Sequence, residues 1–401
     1  MPGLLLPATA EYHQATISLV QTDGNVEIFM FLTGTFLLLI PLILSLIGTE
    51  LVRCYSDRLG LMDHPGERKI HSTAIPRSGG IAIFWSMALP LGGFALLAGM
   101  LQEPVLLHKL PASIQVYVPG LLAHRPLALI LLVSTLAIHI LGLCDDRKSL
   151  SAPVKLFWQI LIAAGLVIGG EMIEPGGFRI LTLLDHLFPG GIFVSGLISV
   201  VWLVLLTNAF NFMDNMDGLS AGVAAICATM FFIAALLNGQ WFICGLLLIY
   251  LGATVGFLWH NFPPAKIFMG DGGSLVLGFF LAALTIRTTY YSAPARWYAL
   301  LMPLIVTAVP LYDLIVVCVV RLRRGRSPMV GDTNHFSHRL ARQGFSKRGA
   351  VLVIYAVTLS CGLAAPLLAR ADAVSAILIS TQCLSTLTVI GILERVGEHT
   401  Q

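Results

Sequence analysis

Charge is scarce in this chain. Only 11% of its 401 residues are Asp, Glu, Lys or Arg, while 57% are hydrophobic. Soluble domains carry roughly 25% charged residues, so a soluble protein is excluded. The mean hydropathy of +0.86 is that of an integral membrane protein. The first 26 residues contain no Lys or Arg and only a short apolar run, so the N-terminus lacks the basic segment of a cleavable signal peptide. Cysteine is sparse as well. The seven present are scattered, mostly inside apolar runs and without a CxxC pair, which argues against a disulfide framework and against a zinc site. No internal repeat, low-complexity tract or soluble domain is visible.

Apolar runs are what the chain has in quantity. A membrane helix takes about 20 mostly apolar residues. Runs of that kind fall near 27–52, 79–100, 126–144, 153–170, 190–209, 218–237, 240–260, 272–291, 297–321, 349–369 and 373–393. They recur along the whole length, so a single-pass anchor is excluded. The expectation is an all-α polytopic membrane protein with about eleven transmembrane helices, a short segment 1–26 preceding one transmembrane domain at 27–395. Basic loops set the orientation. One holds Arg53, Arg58, Arg68, Lys69 and Arg77, and another Arg323, Arg324, Arg326, Arg339, Arg342, Lys347 and Arg348. This predicts an external N-terminus, a cytoplasmic C-terminus, and cytoplasmic loops near 53–78, 145–152, 210–218, 261–271 and 322–348.

Five polar clusters then fall on that one face: DHPGERKIHSTAIPRSGG, LGLCDDRKSLSAPVK, NAFNFMDNMDGL, HNFPPAKIFMGDGGS and RLRRGRSPMVGDTNHFSHRL. Carboxylates that hold Mg²⁺, cations that neutralise phosphate, and glycines that let backbone approach a ligand are the ingredients of a metal–phosphate site. Asp145–Asp146 closes a span. It reads either as a solvated charge pair balanced by Arg147 and Lys148, or as two carboxylates facing different partners. Asn208, Asn211, Asp214 and Asp217 recur at intervals of three, so a continuous helix at 3.6 residues per turn would splay them. A break near Asn211–Gly218 would let them converge. The alternative is hydrogen-bond glue between membrane helices, for which two carboxylates and three amides are a great deal of polarity. The spacing does not fit a calcium loop, and Gly-Asp-Gly-Gly around Asp271 lacks the lysine of a P-loop. His335 and His338 exceed what a plain positive-inside loop requires, yet too few Cys or His accompany them for zinc.

Taken together and in this order, RKIH…IPRSGGI, LGLCDDRKSLSAPVK, TNAFNFMDNMDGLSAG, NFPPAKIFMGDGGS and RRGRSP…DTNHFSHRL resemble the polyprenyl-phosphate N-acetylhexosamine-1-phosphate transferases, most of all the bacterial undecaprenyl-phosphate GlcNAc-1-phosphate branch. The resemblance implies a reaction in which undecaprenyl phosphate attacks the β-phosphate of a UDP-HexNAc. The products are polyprenyl-diphosphate-HexNAc and UMP, Mg²⁺ is required (Mn²⁺ an alternative), and the reaction initiates a cell-wall, lipopolysaccharide or teichoic acid glycan. It implies Asp271 and Asn211 at the metal. Asp145, Asp146, Lys155, His335, His338 and Arg339 become the catalytic groups. Asn208, Asp214, Asp217, Asn261, Phe268, Lys69 and His71 become substrate contacts. It also implies a multi-pass protein of the bacterial inner membrane among membrane lipids, a homodimer, and no nucleic-acid partner. The chain departs from that branch at Ser337, where a His-x-His-His run would carry histidine; the change bears on sugar preference more than on phosphotransfer. A phospho-MurNAc-pentapeptide transferase and a transferase for another UDP-amino sugar remain readings within the class. A multi-span transporter is a distant one, since its acids would sit near the bilayer midplane and here they fall at span ends.

Overall fold

The computed structural model describes residues 24–63, 74–110, 115, 117–288, 297–327 and 335–399. Lys69 and His71, nearly all of segment 1–26, and 328–334 of the last basic loop lie outside the described residues. Helices α1 (Gly24–Tyr55), α2 (Gly79–Met100), α3 (Val118–Arg147), α4 (Ala152–Ile173), α5 (Gly191–Met213), α6 (Leu219–Leu237) and α7 (Trp241–Asn261) precede α8 (Asp271–Arg287). After these come α9 (Met302–Val306), α10 (Ala308–Arg323), the short α11 (Phe336–Arg342), α12 (Lys347–Gly362) and α13 (Ala373–His399). The chain is an all-α polytopic membrane protein.

Among the described residues, nine helices are long and apolar enough to cross a membrane, or ten if the bent pair 298–306 and 308–323 forms one span. The run expected as a further span near 272–291 is the 17-residue α8. Every residue of α8 from Gly272 to Ile286 is buried, because α2, α3, α5, α6 and α7 all pack on it. A helix apolar all round belongs in a core, and α8 is the axis of this bundle. The bend between α9 and α10 has a local cause. Pro310 cannot donate to the carbonyl four residues back, and that carbonyl, Val306 O, accepts from the Cys227 thiol at 3.2 Å instead.

Small residues let neighbours close on α8. A Cβ added at Gly142 of α3 would stand 2.4 Å from Asp271 O, and one at Gly80 of α2 would stand 2.2 Å from Gly273 N. A two-residue antiparallel ribbon, β1 (Met62–Asp63) with β2 (Ile75–Pro76), leads into this contact. There the backbone zips onto the loop before α8: Phe268 N donates to Pro76 O (2.7 Å), Gly79 N to Phe268 O (3.0 Å) and Gly80 N to Met269 O (2.8 Å). At the opposite end of the bundle, the buried Arg179 ties Glu171 (2.7 Å), Asp185 (2.8 Å) and Ser195 (2.6 Å) into one closed knot.

The glycine contacts give a prediction of opposite signs. Gly142→Ala forces backbone against backbone and should lower stability by about 1–3 kcal/mol or more. Gly165→Ala on α4 meets open space and should be neutral, or stabilising by roughly 0.5–1 kcal/mol. Thermal unfolding of the two detergent-solubilised variants checks this; equal behaviour would show that the approach of α3 to α8 is not tight.

Candidate active site

The site grows from the N-terminus of α8. Gly270 precedes it with φ +70°, and a Cβ there would stand 2.6 Å from Asp146 Oδ2, so no other residue fits the turn. Asp146, at the end of α3, reaches across and accepts from Asp271 N and Gly272 N, both at 2.8 Å. Its side chain is only 1% exposed, and Arg77 Nε stands 3.1 Å from its Oδ1. A carboxylate at a helix N-terminus complements the positive end of the helix dipole. Asp146 therefore occupies the place where a helix N-terminus would otherwise offer its N–H groups to a phosphate. It anchors the site rather than facing substrate.

Asp145 points elsewhere, as adjacent residues on a helix must. It accepts from Leu150 N (2.6 Å) and from Lys155 Nζ (3.0 Å), and the same ammonium reaches Asp271 Oδ2 at 2.6 Å. The tight turn 148–151 brings Lys155, on the first turn of α4, back over the end of α3. Arg77 Nη2 lies 3.6 Å from Asp271 Oδ1. Asn211, near the end of α5, gives its two amide protons to Asp271 Oδ1 (3.1 Å) and Ser274 Oγ (2.9 Å). Ser274 Oγ in turn donates to Gly270 O at 3.1 Å, which fixes the orientation of the amide. Asp271 thus meets two cations and an amide while remaining 14% exposed.

The expected break in the Asn/Asp stripe is present. Helix α5 ends at Met213, and α6 starts after Gly218 in the left-handed region at φ +74°. The stripe divides among different partners. Asn208 bonds Gln159 of α4 at 2.6 Å and serves as interhelical glue, one turn below Asn211. Asp217 accepts from Ala265 N at 3.0 Å. Asn261 accepts from Gly218 N (2.9 Å) and donates to Ile267 O (2.8 Å), so both ends of its amide knit the 214–218 turn to the loop before α8. Asp214 opens this turn within the field of Asp271; burial, and next the charge of Asp271, push its carboxyl well above the ordinary carboxylate range. Phe268 is half-buried in the zipped loop.

Helices α11 and α12 close the remaining side. Ser337 is 1% exposed and donates to Asn215 Oδ1, so the serine within the His-Phe-Ser-His run is a latch to the 214–218 turn. His335 contacts Phe212 edge-on at 5.7 Å, and its ring centroid lies 6.3 Å from that of the half-buried His338. Arg339 is drawn the other way: its Nη2 is 2.9 Å from Glu394 Oε1 on α13, both side chains being nearly buried. Tyr355 of α12 donates to Gly218 O, and Arg348 Nε donates to Pro263 O at 2.7 Å.

The structure brings together Asp145, Asp146, Lys155, Asn211 and Asp271 at one point, with Asp214 beside them and His335 and Ser337 across the turn. Asn208, Asn261 and Arg339 are turned to structural partners. In the sequence Arg77 counts only as a loop charge, although it stands directly before the Ser-Gly-Gly that opens α2. Sequence reading passed over Asp313 and Glu394, each a lone acid within or beside an apolar run. Asp313 corrects the view that acids occupy only span ends.

Among the described residues, no three His, Cys, Asp or Glu side chains converge as a metal cage. Mg²⁺ does not need one. It commonly takes one or two carboxylates, keeps waters, and accepts substrate phosphate oxygens. Asp271 and the nearby Asp145 are oxygen donors of the type that fits; Asn211, whose NH₂ faces Asp271, would bring its carbonyl oxygen to the metal by turning its amide over.

Comparison with known proteins places the chain among relatives. A family model described as glycosyl transferase family 4 matches residues 128–289, a window that runs from Asp145 through Asp271. The chain is similar to a probable undecaprenyl-phosphate N-acetylglucosaminyl 1-phosphate transferase of Bacillus subtilis, with 32% identity over 319 residues covering 80% of each chain. It is similar to a decaprenyl-phosphate N-acetylglucosaminephosphotransferase of Mycobacterium tuberculosis, with 35% identity over 338 residues covering 78% of this chain and 77% of the relative. The undecaprenyl-phosphate alpha-N-acetylglucosaminyl 1-phosphate transferase of Escherichia coli K12 shares 25% identity over 310 residues and 75% of each chain.

The cap on α8 is testable. Asp146→Asn turns an NH₂ toward one of two backbone donors and strips Arg77 of its buried partner. The cost should be about 3 kcal/mol or more, seen as a lowered unfolding midpoint together with lost activity. A variant of wild-type stability would remove Asp146 from its structural role.

Proposed function

The chain belongs to the polyprenyl-phosphate N-acetylhexosamine-1-phosphate transferase family, and on that premise we propose that it transfers GlcNAc-1-phosphate from UDP-GlcNAc to undecaprenyl phosphate. The products are undecaprenyl-diphosphate-GlcNAc and UMP. An oxygen of the lipid phosphate bonds to the β-phosphorus, and the bond from that phosphorus to the bridging oxygen breaks. The relatives named for N-acetylglucosamine support the choice of sugar. The observation that carries the chemistry is the bridge of Lys155 between Asp145 and Asp271, beside Asn211 and at the capped start of α8.

Two anions must meet in this reaction, so charge neutralisation and positioning dominate. Because Asp146 already fills the N-terminus of α8, attraction for phosphate falls to the Lys155 ammonium and the Arg77 guanidinium. When bound at Asp271 and Asn211, Mg²⁺ supplies further neutralisation of the diphosphate. Asp271 holds Lys155 on one oxygen and faces Arg77 and Asn211 with the other, which keeps both cations at the reacting phosphates. A phosphate monoester is already largely ionised at neutral pH, its second pKa being about 6, so Asp145 acts by orienting Lys155 rather than as an obligate base. The 214–218 turn and the 261–270 loop, knitted through Asn261 and Asp217, form the nucleotide side.

Loop charge supports an external N-terminus and a site on the cytoplasmic face of the bacterial inner membrane, where UDP-sugars are found. An acceptor that lives in lipid accounts for a catalytic domain built of membrane helices.

Purified protein with undecaprenyl phosphate, Mg²⁺ and a panel of UDP-sugars should release UMP with UDP-GlcNAc and stop when EDTA removes the metal. Asp271→Asn should reduce turnover at least ~10²-fold while the protein remains folded. No UMP from any UDP-HexNAc would end the functional reading, and near-normal turnover of the variant would move the metal site elsewhere.

A further inference from the structure

His335 directly precedes α11 as its N-cap residue, and its imidazole is held from below by a residue that no motif of the sequence marked. Asp313 lies on α10, is 1% exposed, and spends both carboxylate oxygens on the start of α11. Oδ2 stands 2.8 Å from His335 Nδ1, and Oδ1 accepts from Phe336 N at 2.6 Å. A carboxylate can only accept, so Nδ1 carries the ring proton and Nε2 is the nitrogen away from Asp313. Phe212, edge-on to the ring at 5.7 Å, follows Asn211 directly in α5. The fixed ring therefore stands beside the end of α5 that carries the metal-side amide.

We propose that Asp313 is a positioning residue for phosphotransfer: it fixes His335 as the Nδ1–H tautomer and so presents Nε2 to the bound sugar nucleotide. This rests on the transferase reading for its catalytic consequence and on the Asp313–His335–Phe336 geometry for the tautomer. The same geometry says what an isosteric change does. In Asp313→Asn the Phe336 N–H can only donate, so the amide oxygen must face it. The NH₂ is left facing Nδ1, which must then accept, and the ring proton moves to Nε2. Shape is kept while the nitrogen offered to substrate changes from acceptor to donor. Where an aspartate orients a catalytic histidine in this way, loss of the correct tautomer is far more costly than loss of a surface bond.

The experiment uses the full-length enzyme in detergent with ¹⁵N-labelled histidine rings, the His335 signals being assigned by their absence in His335→Gln. Wild type should show a protonated Nδ1 and an unprotonated Nε2 at His335, and Asp313→Asn should exchange the two. UMP release by Asp313→Asn should fall in kcat on the order of 10²-fold, with KM for UDP-GlcNAc within about threefold. Asp313→Asn/His335→Gln should be no slower than His335→Gln alone, because residues that act as a unit are non-additive. An Nε2–H tautomer in wild type overturns the proposal by itself, even if Asp313→Asn fails to fold. An exchanged tautomer with full activity, or losses that multiply in the double variant, overturns it as well. If wild type releases no UMP, the transferase reading fails, and the spectrum still decides whether Asp313 sets the tautomer.

Discussion

Much of the site depends on one carboxylate in an unusual post. Asp146 sits at the end of α3 and caps the N-terminus of α8 from outside, holding Asp271 N and Gly272 N. The bond sets the height of α8 against α3, and the absence of side chains at Gly142 and Gly270 lets it be short. It also places Asp271, the first residue of α8, within reach of Lys155 and Asn211. Buried and unpaired, such a carboxylate would be strongly destabilising. Arg77 and the dipole of α8 compensate it, and Arg77 is itself fixed by the backbone zipper between 76–80 and 268–269.

This arrangement explains how a chain so poor in charge can manage two phosphates. The ionised groups of the site gather at the N-terminus of α8 and are held there by one another. Lys155 joins Asp145 to Asp271, and Arg77 spans Asp146 and Asp271. In a medium less polar than water each contact is stronger than at a soluble surface, and little reorganisation is needed when substrate arrives. Asp214 stands well above the ordinary carboxylate range, through burial first and the charge of Asp271 second.

A second layer comes from the C-terminal third of the chain, outside the 128–289 window of the family model. Tyr355 and Arg348 of α12 buttress the 214–218 turn and the loop at Pro263. Ser337 ties α11 to the same turn, Asp313 holds His335, and Glu394 on α13 meets Arg339 and the Tyr312 hydroxyl. The histidine loop is thus docked by buried polar contacts to two helices, α10 and α13, and to the 214–218 turn.

The apolar runs determined the helices, since about 20 such residues have no other stable place than a bilayer or a core. The polar clusters at their ends marked the residues that gather at one point. Asp145, Asp146, Lys155, Asn211 and Asp271 were legible because each breaks an apolar pattern next to a turn. The break at Asn211–Gly218 was legible because a 3.6-residue helix cannot converge a stripe of three-residue spacing. The role of each polar residue was not legible. Asp145 and Asp146 are chemically identical neighbours, and only the path of α8 makes one a cap and the other a partner of Lys155. Asn208 and Asn211 are one turn apart, yet Gln159 takes the first and Asp271 the second. Arg77 counted only as a loop charge, and Asp313 and Glu394 carried no signal, because their partners lie far along the chain, and a sequence shows residue type and local spacing but not who stands opposite. The sequence by itself determined a bundle of membrane helices with a phosphate-handling end. Tertiary structure decided which carboxylates hold the frame and which face the substrate, because that depends on burial and on the direction of approach of α3, α5 and α8.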